Sequence, residues 1–228
     1  MSDGPLTRFI DSIAIDEKEF FEKIPYAKET LAVWVMYRKR RIGIFLKSID
    51  KASGTMSGKD KEQFNDYISS PFGRELLMEY SDSVLSTSSL IAISALGIIY
   101  ADINNEIYTD DFKRITCRSL QGVTDGLIEA FILLCDLKLK TEKGPYPLCK
   151  LDEDEFESNE SLKDRIETSE DAFACIAELI RRGMFLPDHI PSRIAGGKWF
   201  INFGVTKTSL EIKKLLLRAK ILLEAISK

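Results

Sequence analysis

A chain of 228 residues with 44% hydrophobic and 30% charged side chains has the composition of an ordinary folded protein and is long enough to bury a substantial core. Its 36 acids against 32 bases, a formal net charge of -4, exclude the global positive field that drives non-specific binding to nucleic acid or anionic lipid, so any such contact has to be local. Glycine (13) and proline (7) are sparse, which favours helix.

In chain order, the opening MSDGPLTRF has no basic region followed by an apolar one, so neither a secretory signal nor a transit peptide is expected, and the expected location is the cytoplasm. A short helix is expected around Glu17 to Lys23. From Tyr26 to about Lys51, Leu31, Trp34, Val35, Ile42, Phe45, Leu46 and Ile49 recur at helical spacing and predict a long amphipathic helix that stops at Ser53-Gly54. Ser57 to Ile68 reads as a polar loop entering a weaker helix. Pro71 opens a further long helix, since its missing N–H costs nothing in a first turn. That helix carries SVLSTSSLIAISALGIIYA, residues 83–101, nineteen residues without a charge.

Nineteen uncharged residues approach the length of a membrane span, about 20 residues. Six of the nineteen are Ser or Thr, however, both flanks are acidic, and no basic anchor is near. The amphipathic helices on either side therefore point to a buried core helix, with Ile91, Ala95 and Ile98 almost fully covered and no stable membrane insertion in the resting state. It ends at Asp102-Ile103-Asn104-Asn105. As a calcium loop this turn lacks the glycine, replaced by Ile107, and the terminal acid, replaced by Lys113, so a plain connection is expected.

Thr109 with Asp110 and Asp111 makes a helix start, and the helix is expected to run to about Lys140 with Gly122 and Gly126 on one face. Gly144, Pro145 and Pro147 then introduce a strongly acidic stretch. Residues 151–171 hold ten acids and two bases, a net -8, and are expected to form a linker. Beyond it Ser169 to Arg182 is an amphipathic helix closed by Gly183, and KWFINFGVT alternates as a strand paired through Gly196-Gly197 with HIPSRIA. Thr208 and Glu211 have capping-box spacing and open a last helix to about Ile226.

Site chemistry is thin. The four cysteines, at 117, 135, 149 and 175, form no close pair and read as buried thiols. No phosphate loop, dinucleotide fingerprint or zinc-protease motif occurs, and a single histidine makes triad catalysis improbable. No catalytic residue, metal site or cofactor is therefore assigned. The densest positive cluster is Arg38-Lys39-Arg40-Arg41. With Lys47, Lys51 and Asp50 it makes residues 37–51 net +5. Four consecutive charges fan around a helix, so at least one has to lie near the packed side, which favours an ion-pair or interface role for one arginine.

Three resemblances bear on these residues. The helix, hairpin and GVTKTSLEIKKLLLRA ending over residues 160–225 looks like a winged-helix module, though the helix before the hairpin carries Glu170, Asp171 and Glu178 where a DNA reader would need bases or amides. Arg182 and His189, separated by six residues, resemble the pair of HEPN-type ribonucleases, with Gly183 and Pro187 breaking the helix such enzymes use. The whole order of helical core, acidic stretch and hairpin ending resembles bacterial abortive-infection proteins of the Abi-alpha-like group, which implies an accessory or phage-exclusion role.

Together these readings predict a mainly α fold: a multi-helix core over residues 1–145, an acidic linker over 146–168, and a small C-terminal α+β, winged-helix-like module with one β-hairpin over 169–228. The expected function is a non-enzymatic protein-interaction role, with a protein partner or as a homo-oligomer. The alternative is nucleic-acid binding through Arg38, Lys39, Arg40, Arg41, Arg193 and Lys198, and the second alternative is HEPN-like RNA cleavage.

Overall fold

The structure, a computed structural model, describes residues 27–54, 57–103, 106–137, 139–141, 146–195 and 198–226, with side chains from 35 onward except 138–145 and 189–197. The short helix expected around Glu17 lies outside the described residues, as do Asn104-Asn105 and Gly196-Gly197. The chain divides between Gly43 and Ile44 into two compact units. Among the described residues the protein is mostly helical with one small antiparallel sheet near its C-terminal end.

The first helix, α1, runs Ala27–Gly54, as its apolar spacing predicts. What reads as a polar loop is already helix: Ser57 caps α2 (Gly58–Ser69) by accepting from the Asp60 amide at 3.3 Å. Ser70 then ends α2 and caps α3 (Pro71–Ser86), accepting from Gly73 N at 3.0 Å with Pro71 in the first turn. The next element, α4 (Leu90–Ala101), holds the apolar stretch, and from Ile91 to Ala101 every side chain is buried.

Two expected long helices are each broken in two, and the breaks face one another. Between α3 and α4, Thr87 to Ser89 leave the helix; Ser89 caps α4 through a 3.0 Å contact from Ala92 N. The helix opened by Thr109 is α5 (Asp110–Leu120). It stops where Gly122 takes a φ of +71°, and α6 (Asp125–Leu134) restarts under a Thr124 cap. Gly122 and Gly126 thus do not share a helix face. The junction is closed by hydroxyls: Thr87 Oγ1 accepts from Gly122 N at 3.0 Å, and Ser88 Oγ and Ser89 N both donate to Val123 O, at 3.0 and 3.1 Å. Buried backbone groups need partners, and the Ser/Thr run supplies them here, which favours two kinks over two straight helices.

The sheet is larger than the single hairpin expected. Its order is β1 (Leu139–Thr141), β2 (Leu148–Asp152), β4 (Lys198–Gly204), β3 (Leu186–Ala195), all antiparallel. The acidic stretch expected as a linker contributes β2 and two short helices, α7 (Glu153–Ser158) and α8 (Glu160–Lys163). Its few apolar residues hold it down, since Leu151, Phe156, Leu162 and Ile166 are buried while the acids face water.

α9 (Ser169–Arg181) begins with a capping box between Thr168 and Asp171 and ends before Gly183, at φ +73°. α10 (Lys207–Ile226) starts two residues earlier than the Thr208/Glu211 spacing suggests. Its reciprocal cap is Thr206 with Ser209, each hydroxyl accepting the other's amide at 3.1 Å. Phe131, Phe185 and Phe203, with centroids 5.1 and 4.6 Å apart in sequence, join α6 to the sheet. A second cluster sets Trp199 against Phe156 and Phe173.

The centre of the larger unit is α4, packed against α10, α6, α3 and α5. At Gly97 an added Cβ would lie 2.7 Å from both Phe45 O and Ser48 Cβ, so α1 crosses α4 at backbone contact. Ser48 Oγ donates to Ser94 Oγ at 3.0 Å across the same crossing. Gly97→Ala is expected to destabilise by about 1–3 kcal/mol through overpacking, and Ala95→Leu similarly. Gly126→Ala, at a site with open space around it, is expected to stabilise by about 0.4–1 kcal/mol. Urea melts of the three variants check both signs; a neutral Gly97→Ala would contradict the close crossing.

Candidate functional site

The six bases predicted as contacts stand in different settings. Arg41 is buried, its guanidinium 3.9 Å from the Tyr37 ring centroid and donating to the Tyr37 hydroxyl one turn away. It is the one of the four consecutive charges that is buried. Arg38 is half-buried, while Lys39 and Arg40 are exposed beside exposed Met36 and Tyr37. Arg193 lies on β3 opposite Phe200, and its side chain is outside the described residues. Lys198 is exposed on β4, but its ammonium is 2.6 Å from Asp154 of α7, so an acid already answers it.

The arginine of the ribonuclease pair is likewise engaged. Arg182 is held by Glu178 at 2.7 Å, by Ser119 O at 3.3 Å and by Gln121 O, while Ser119 Oγ donates to Arg182 O at 2.7 Å. These bonds staple the end of α9 to the end of α5. Hydrogen bonds from Arg181 and then Arg182 pull the Glu178 carboxyl down to about 2. His189 is on β3, so the two residues belong to a helix end and a strand, not to one helical framework.

The face that sequence reasoning passed over is on α10. Its inner side, Ser209, Ile212, Leu215, Leu216 and Ala219, is buried. Four of its five bases are paired within the chain: Lys213 with Asp136, Lys214 with Glu211 at 2.8 Å, Arg218 with Asp102 at 3.2 Å, and Lys220 with Glu129 at 3.4 Å. The positive C-terminal block is therefore largely neutralised where it stands. What it leaves on the outside is an apolar seam, Leu210, Leu217 and Ile221, the last 70% exposed. The seam spacing 210, 214, 217, 221, 224 is visible in the sequence, but LLL at 215–217 puts apolar residues on both faces, which hides an outer stripe behind an inner one.

The seam stands as a ridge between two grooves. One, of about 360 Å³ and almost wholly apolar, runs past Ala52, Ile98, Ile221 and Leu222. The other, of about 250 Å³, is lined by Ile132, Leu133, Arg165 and Leu217, with Glu129 bridging Arg165 at 3.1 Å and Lys220. The first lacks the converging polar groups of a small-molecule site, and in the second the charged groups are spent on one another through Glu129.

A second missed feature is internal. Lys113 of α5 is only 3% exposed, has no ion pair among the described residues, and sits 5.6 Å from the Tyr67 ring centroid. Tyr67, Tyr80 and Tyr100 form a ring cluster, with the Tyr100 hydroxyl donating to Gly73 O at 3.1 Å and the Tyr67 hydroxyl buried without a partner among the described residues. Burial lowers the Lys113 ammonium below its usual range against the upward pull of Asp110 and Asp102, and burial pushes the Tyr67 phenol up to about 12. Cys117, Cys135, Cys149 and Cys175 are free thiols whose pKa values are raised by burial. Desolvated thiols in these settings are poor nucleophiles. Among the described residues no three His, Cys, Asp or Glu side chains are placed to hold a metal ion.

No protein-family model, curated protein or solved structure matches the chain.

Burial of Lys113 makes the stability of the protein depend on pH. Because the folded pKa of this lysine lies below the unfolded value, the unfolded chain binds the proton more tightly, and stability rises with pH between the folded pKa and the ordinary lysine value near 10.4. Lys113→Met is expected to be more stable than the parent at pH 7 by on the order of 1 kcal/mol, with the advantage shrinking as pH approaches 10. Chemical denaturation at pH 7, 8 and 9 checks this; a less stable variant at pH 7 would show that the ammonium has a stabilising partner.

Proposed function

We propose that the protein acts by binding another polypeptide through the outer face of α10, as a non-enzymatic interaction subunit. The observation that carries this reading is the exposed seam Leu210, Leu217 and Ile221 on a helix whose inner face is locked into the core and whose bases are mostly paired internally. Covering a side chain such as Ile221 is worth about 1.5–3 kcal/mol, and a rigid helix loses little entropy on docking. The layout resemblance to abortive-infection proteins suggests the setting: an accessory role in phage exclusion, in the cytoplasm.

The other readings have less support. Nucleic-acid binding keeps Lys39 and Arg40 as exposed bases, but Arg41 is buried on Tyr37 and Lys198 is answered by Asp154. RNA cleavage would have to detach Arg182 from Glu178 and two backbone carbonyls.

A photo-crosslinking amino acid at position 221 of the full chain, irradiated in cells, is expected to yield a covalent adduct with another polypeptide. The same probe at the exposed Glu62 of α2 should yield none. Absence of any adduct at 221 would overturn the reading.

A further inference from the structure

Resting on the protein-binding role just proposed, we infer that the polypeptide that covers the α10 seam is a second copy of this chain, paired antiparallel across a two-fold axis. Beyond Leu210, which lies outside the pairing, the seam reads Lys214, Leu217, Ile221, Glu224, with spacings of three, four and three residues. That spacing is the same read in either direction, and reversal exchanges a base for an acid and one apolar residue for another. In an antiparallel pair Leu217 of each copy meets Ile221 of the other, and Lys214 of each meets Glu224 of the other. Two apolar layers sit at the centre, and an ion pair closes each end.

The alternatives are worse by the same residues. A parallel pair would set Lys214 on Lys214 and Glu224 on Glu224, which repel. An antiparallel pair shifted by one heptad would bring Lys214 of both copies against Leu217 at the centre, with two ammonium groups close together in the layer that excludes water. Only the first register keeps charge at the ends. All four side chains are available for it: Lys214, Leu217, Ile221 and Glu224 are exposed. Glu224 has no ion pair among the described residues, and Lys214 is held only by a surface pair with Glu211 one turn away. Such a pair is weak enough to exchange for one across the interface. The grooves on either side of the ridge take the flanks of the partner helix.

Sedimentation velocity of the full chain between low and high micromolar concentration tests this. The parent is expected to shift from single to double mass. Lys214→Glu and Glu224→Lys, each of which sets like charges at both ends, should weaken the dimer by about tenfold or more. The combined Lys214→Glu/Glu224→Lys variant should recover the parent's association to within a few-fold. These positions are exposed, and an unchanged melting profile confirms that folding is not the cause. A parent that stays monomeric, or a combined variant no better than the single ones, would overturn the pairing. If the parent is monomeric while the probe at 221 still captures a different polypeptide, self-pairing fails and the binding role stands; a monomer without any adduct at 221 overturns both.

Discussion

The helices packed on α4 answer to the fact that it has no face left for water. From Ile91 to Ala101 the helix is covered on all sides, so each neighbour has to bring an apolar surface and come close. Large side chains all round would hold the neighbours apart. Small ones at Ser94 and Gly97 let α1 approach to backbone contact, and the Ser48–Ser94 bond removes the polar penalty of that crossing. The helix is also short. At twelve residues it is about 18 Å long against a bilayer core of about 30 Å, and no helix among the described residues is long and apolar enough to cross a membrane.

The same constraint sets what the surface of α10 can do. Because Ile212, Leu215, Leu216 and Ala219 are buried in the core that α4 organises, the rotation of α10 about its axis is fixed. Ion pairs to Asp136, Asp102 and Glu129 on three other segments hold it further. Its outer residues are thereby presented on a rigid support, which is how a seam of a few side chains becomes a specific surface. A positive block in the sequence and a positive surface in space are different things, and here the first is mostly consumed by internal pairing.

Much of the architecture is legible in the sequence wherever one local signal decides it. The length of α1, the Pro71 start, the Thr109 cap, the Gly183 stop and the existence of β4 all rest on a few neighbouring residues. The breaks at Thr87–Ser89 and Gln121–Thr124 are not legible in that way, because each is stabilised by the other. Thr87 satisfies Gly122 N, and Val123 O satisfies Ser88 and Ser89, across some 35 residues of chain. Likewise the acidic stretch looks like a linker by charge, yet four buried apolar residues decide its structure. Of the candidate site, the burial of one charge among Arg38 to Arg41 is foreseeable from helix geometry. The partners of Lys198 and Arg182 are not, since Asp154, Ser119 and Gln121 are far away in the chain. The α10 seam was readable as a spacing, but only the structure separates its outer stripe from its inner one.

Native-state hydrogen exchange on the full chain tests most directly whether α4 is the centre on which the rest depends. The amides from Ile93 to Ile99 should be among the slowest in the protein and open only with global unfolding, with the amides of α2 exchanging faster through local opening. Amides in α4 that exchange as fast as those of α2 would mean that this helix is not enclosed, and would contradict the account.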